Sequence, residues 1–133
     1  MNELELYRIA ETENIKIDNF KLKNTVSLAL IDDENNCYIA VSDECKMEHL
    51  AHELGHCMTG SFYNRYASYD LKAKQEWKAK KWAIKKLVPL NELKKAFSVG
   101  IVNVWELAEL FNVSESFINS ACQYYAENLF IGG

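Results

Sequence analysis

All three histidines of this 133-residue chain fall between positions 49 and 56, and two of them frame the string His52-Glu53-Leu54-Gly55-His56. That spacing constrains the fold more than any other feature. Residues four apart on an α-helix face the same way, one turn and about 6 Å along the axis. Two imidazoles so placed can converge on one ion, and zinc takes nitrogen ligands at about 2.0–2.1 Å. Glu53 follows the first histidine directly and projects to the side of such an ion, within reach of a proton on a water there. The surrounding chain must therefore supply a helix here, a third ligand from elsewhere, and an opening for a reactant.

The flanking sequence provides a helix. Ser42-Asp43-Glu44 reads as a helix start, because a serine oxygen can cap free backbone N–H groups and acids suit the positive end of the dipole. The spacing predicts a helix from about Asp43 to Met58, with Gly60 at its end. His49 lies two turns from His56, about 10 Å along the axis, too far to share an ion with it. It is expected as a partly exposed histidine near the site rather than a ligand.

A catalytic zinc site usually takes three protein ligands and keeps one position open. No further histidine exists, so the third ligand is expected from Asp, Glu or Cys. Glu76 fits best: it lies twenty residues beyond His56 on a predicted helix over 71–88, and Ala79 and Ala83 on its face allow close approach. Asp70 is the substitute, and pairing of Glu76 with Lys72 or Lys80 is the ordinary alternative. Cys57 points about 100° away from His56 around the helix and reads as a buried thiol. The pattern His-Glu-x-x-His is a known signature of zinc peptidases.

Around this centre the chain reads as α+β. Residues 3–13 place Leu4, Leu6, Ile9 and Ala10 near one helical face. Two β-prone runs, TVSLALID and NCYIAVS, flank the turn-rich Asp32-Asp33-Glu34-Asn35 and predict a hairpin. The polar stretch SFYNRYASYD has no period and reads as a loop. Pro89 closes the long helix, and three shorter helices are expected over 90–97, 103–111 and 114–129, the last capped by Ser114. The expected whole is a single domain over 1–133: helix, hairpin and metal-bearing helix over 1–60, the third-ligand helix over 71–89, and a helical bundle over 90–133.

Composition closes off several classes. At 49% hydrophobic and 26% charged, the chain is not of disordered type. No window reaches the ~18 apolar residues of a membrane span, and the N-terminal MNELELYRIAETEN is too acidic for a signal peptide. A cytoplasmic location follows as the expectation, with the four cysteines (37, 45, 57 and 122) as reduced thiols. None of them forms a C-x-x-C pair, which excludes a zinc ribbon.

The net charge of −4 averages unlike blocks: residues 1–45 hold 4 bases and 10 acids, 46–95 hold 11 and 5, and 96–133 hold 0 and 4. VWELAELFNVSESFINSACQYY has the cadence of a helix-turn-helix, with Ala108, Val113 and Ile118 at core positions. Yet no Lys or Arg follows Lys95, so a recognition helix would lack cations for phosphate. Packing helices or a docking surface are expected there, with no direct nucleic-acid contact. The basic helix over 72–86 is the better place for an anionic contact, and a solvated lysine face is its favoured ordinary reading.

The order of hairpin, MEHLAHELGHCM and EWKAKKWAIKKLVP resembles the ImmA/IrrE family of metallopeptidases over roughly residues 25–118. The shared pattern is an alanine before the motif (Ala51), the motif, and a helix reading Glu-x-x-Ala-x-x-x-Ala before a hydrophobic pair and proline. This chain supplies Glu76, Ala79, Ala83, Leu87, Val88 and Pro89 at those places, and departs from the family at Lys80 and Trp82, where Asn and Phe are usual. The resemblance implies a small zincin-like fold, one Zn²⁺ held by His52, His56 and Glu76, and Glu53 as catalytic carboxylate. It further implies cleavage of a helix-turn-helix transcriptional repressor that releases a phage, mobile element or stress regulon. Tyr63, Tyr66 or Tyr69 in the loop can donate to the oxyanion, and the strand NCYIAVS can offer an edge to an extended substrate. The alternative from another class is a catalytically silent, zinc-stabilised module that sequesters a repressor.

Overall fold

The computed structural model describes the backbone of residues 1–132 and the side chains of residues 1–128. The fold is α+β, with three strands and six helices among the described residues. It divides into two compact units, residues 1–83 and 84–133.

In the first unit, α1 spans Glu3–Thr12. Asn2 starts it by accepting the Glu5 backbone N–H at 3.0 Å, with Glu3 and Glu5 at the positive end of the dipole. Leu6 and Ala10, one turn apart, are its buried positions, while Leu4 is exposed. Strand β2 (Ser27–Ile31) and strand β3 (Cys37–Val41) form the expected hairpin, pairing antiparallel from Ser27↔Val41 to Ile31↔Cys37. The Asp32 carboxylate closes the turn by accepting the Glu34 and Asn36 N–H groups at 2.9 Å, and Asn35 takes the left-handed conformation that asparagine tolerates.

A strand absent from the sequence reading, β1 (Lys16–Asn19), runs parallel to β3 on its other side. The sheet order is β1-β3-β2. Both edges of β3 are thus occupied, so the expectation that NCYIAVS offers a free edge is corrected. The edge strands are β1 and β2.

Helix α2, which carries both His52 and His56, spans Met47–Thr59 and starts four residues later than expected from Ser42. Ser42 is taken up by the sheet: its N–H and its hydroxyl both donate to the Val26 carbonyl at 2.9 Å. Its side chain is therefore not free to cap. His49 provides the start instead, its Nδ1 accepting the Lys46 backbone N–H at 3.0 Å. Leu50, Ala51 and Leu54 of α2 are buried, and the helix packs on β2 and β3.

Cys37 and Cys57 form a disulfide, which corrects the expectation of four reduced thiols. The hairpin register brings the start of β3 beside the last turn of α2, with the two Cα atoms 5.9 Å apart, within disulfide reach. Cys45 and Cys122 are free thiols.

Helix α3 spans Tyr69–Leu87, and the division between the units falls within it, after Ala83. In the second unit, the chain after Pro89 forms α4 (Leu90–Ser98), α5 (Val104–Phe111) and α6 (Glu115–Gly132). Ser114 caps α6 as expected, accepting the Phe117 N–H at 3.1 Å. Leu107 and Ala108 of α5 and Ile118 and Ala121 of α6 are buried where these helices pack together. The Tyr125 hydroxyl donates to the Val88 carbonyl at 2.8 Å inside this unit. Among the described residues, no helix is long and apolar enough to cross a membrane.

Candidate metal centre

Helix periodicity puts His52 and His56 on one face of α2, with ring centroids 4.9 Å apart and the planes nearly perpendicular. The chain leaves α2 through Gly60, whose φ of +64° is the left-handed conformation that glycine adopts at no steric cost. That reversal tucks Ser61 beneath the helix end, fully buried, where its carbonyl lies 2.6 Å from His56 Nδ1. A carbonyl oxygen can only accept, so Nδ1 carries the proton and, in the neutral ring, Nε2 carries the lone pair. A partner on the far ring nitrogen is how metal-ligating histidines are oriented.

Glu76 comes to this point from α3. Its Oε1 lies 2.8 Å from His52 Nε2 and 3.2 Å from His56 Nε2. Gly55, between the two histidines, makes this approach possible: a Cβ there would overlap the Ala79 carbonyl. Ala79 and Ala83 are fully buried, as their small size and shared face predicted.

The donor set of His52, His56 and Glu76 could hold a metal ion, with its ligand atoms all within 4.8 Å of one another. Tetrahedral ligands at ~2.0–2.1 Å around zinc lie roughly 3.3 Å from each other; the two Glu76–histidine distances are near that value, and the whole set lies within 4.8 Å. Two imidazole nitrogens and a carboxylate oxygen brought to one point need a proton or a metal ion among them. Burial alone raises the Glu76 pKa, but hydrogen bonds from His52 and Tyr63 and the adjacent imidazoles outweigh it and leave it lowered.

Glu53 lies beside this group in a cavity of about 460 Å³. The buried Ser27 hydroxyl on β2 donates to Glu53 Oε2 at 2.8 Å, so the edge strand orients the carboxylate. Nothing in the sequence singled out Ser27 or Ser61; one is a small residue in a β-prone run, the other the first residue of a loop.

The three tyrosines separate. Tyr63 lines the cavity and donates its hydroxyl to Glu76 Oε2 at 2.8 Å. That bond, then burial, then the charges of Glu76 and Glu53 push its pKa up to about 12. Tyr66 is exposed and its hydroxyl accepts from Arg65, while Tyr69 is exposed at the start of α3. Neither lines the cavity; of the three candidate oxyanion donors, the structure brings Tyr63 to it. Asp70 is exposed in the first turn of α3 and His49 serves the start of α2; neither joins His52, His56 and Glu76.

Compared with protein-family models and with curated proteins, the chain matches none.

Proposed function

We propose that this chain is a zinc-dependent endopeptidase of the ImmA/IrrE type, zincin-like in fold, that cleaves a helix-turn-helix transcriptional repressor. The observation that carries the reading is Glu53: a carboxylate outside the donor set, held by Ser27 at the wall of the same cavity. A site that served only to hold a metal would have no use for it.

His52, His56 and Glu76 would hold the ion. When bound, zinc supplies a Lewis acid that polarises the scissile carbonyl and brings the pKa of a water toward ~7. The remaining work falls to the protein's own groups. Glu53 takes the proton from the attacking water and returns it to the leaving amine. Ser27 keeps the Glu53 carboxylate turned to the cavity. Tyr63, un-ionised at neutral pH and lining the same cavity, would be the hydroxyl donor to the oxyanion. The free edge of β2, whose Ser27, Leu28 and Ala29 line the cavity, offers backbone groups to an extended peptide.

The test is incubation of the zinc-loaded chain with the repressor encoded beside it. Specific cleavage that stops on chelation supports the reading. A stable complex without cleavage would make the chain a sequestering module instead.

A further inference from the structure

The second unit leaves an apolar face open. Helix α5 already has a buried side, Leu107 and Ala108, against α6. A helix with one buried stripe ordinarily turns a polar side to water. Here Trp105 and Leu110 remain 56% and 55% exposed, and Val99 and Val102 just before the helix are 73% and 61% exposed. Single exposed apolar residues are ordinary, whereas a group of them around a tryptophan marks an interaction surface.

The group is shaped as well as apolar. Ile101, Trp105 and Leu110 line an open depression of about 450 Å³, and the other residues lining it are Glu106 and Glu109. The side chain of Asn103 donates to Glu106 at 2.8 Å and steadies one carboxylate on this rim. From residue 96 to the end of the chain there is no Lys or Arg, so nothing on this stretch neutralises the two carboxylates.

We propose that this face docks a cationic amphipathic helix of a partner protein, its apolar side on Trp105 and Leu110 and its basic side chains against Glu106 and Glu109. Helix-in-groove recognition needs apolar anchors at helical spacing, and the depression supplies their seat. Tryptophan is the commonest type of binding hot spot and its ring face attracts cations. The carboxylates set the sign of the partner: they draw a basic helix and repel nucleic acid and anionic lipid alike. The proposal is independent of the metal centre, since every residue it uses lies in the second unit.

The test uses the full chain and, as probe, a synthetic helical peptide of leucine and lysine with leucines at amphipathic spacing, beside a twin with glutamate in place of lysine. Fluorescence anisotropy is expected to show the lysine peptide binding at least ~10-fold more tightly, with affinity falling as salt rises. Trp105→Ala, and Glu106→Gln with Glu109→Gln, each lower that affinity about 10-fold or more, while Glu115→Gln and Glu127→Gln do not. All these side chains but Glu106 are exposed and Glu106 is half-buried, so thermal melts followed by circular dichroism stay unchanged. Equal binding of both peptides, or equal binding by the Trp105→Ala variant, would overturn the proposal. So would sedimentation showing self-association that Trp105→Ala abolishes, which gives the face to a second copy. Retention of a DNA duplex dependent on Trp105 would likewise contradict it.

Discussion

Gly55 and Ala79 are in backbone contact across α2 and α3, with no room for a Cβ on residue 55. This contact sets the distance at which Glu76, three residues before Ala79, meets the two histidines that flank Gly55. Gly55→Ala must push the helices apart or strain them, at a cost of about 1–3 kcal/mol. The expected outcome is a folded chain by circular dichroism with sharply weakened zinc affinity in a chelator competition. Wild-type affinity would mean that the close approach does not set the donor geometry.

Tyr63 carries a prediction in pH. Its bond to Glu76, with burial and nearby carboxylates, raises its pKa to about 12. The phenol therefore stays protonated well past the ordinary value of ~10. Burial also raises the phenols of Tyr7, Tyr38 and Tyr125, so ultraviolet titration of the metal-free chain should show several late phenolates, of which Tyr63→Phe removes one. The same substitution should keep zinc and lower the cleavage rate by about 10²-fold, the worth of an oxyanion donor.

The cysteines divide into a linked pair and two thiols. Without reductant, alkylation in denaturant should modify two cysteines, Cys45 and Cys122, and after reduction all four. In the native chain Cys45 should react slowly. Burial first, then the charges of Glu53 and Glu3, push its thiol up to about 11. Below that pH little thiolate exists, so at pH ~8 alkylation should run roughly 10²-fold slower than for an ordinary thiol. The bridge spans a sequence separation of 20, which on chain entropy is worth about 3 kcal/mol. Cys37→Ser should lower the unfolding midpoint accordingly.

Tyr125 tests the second unit. Its buried hydroxyl donates to the Val88 carbonyl at 2.8 Å. Tyr125→Phe keeps the ring and loses that bond, an expected cost of about 1 kcal/mol in denaturant unfolding. An unchanged midpoint would mean that water satisfies the carbonyl equally well.

Local periodicity explains what could be read before the structure. His52, Glu53 and His56 follow from the helix repeat, and Ala79, Ala83 and Leu87 from a small apolar stripe on α3, all three buried. The hairpin was legible from two β-prone runs around Asp32-Asp33-Glu34-Asn35. What escaped was non-local. Strand β1 is four residues long and gains its identity from β3, not from its own pattern. Ser42 reads as a cap from its neighbours, but its hydroxyl is bonded to the Val26 carbonyl, sixteen residues away. The pairing of Cys37 with Cys57 and the contact of Ser27 with Glu53 join residues 20 and 26 positions apart, which spacing alone does not connect.

The most direct measurement pairs zinc content with repressor cleavage in Glu53→Gln. Glu53 is outside the donor set of His52, His56 and Glu76, so the variant should still bind one zinc per chain. Without a carboxylate to accept the proton, cleavage should fall by about 10²–10⁴-fold. A zinc-loaded Glu53→Gln chain that cut the repressor at the wild-type rate would contradict the account at its centre.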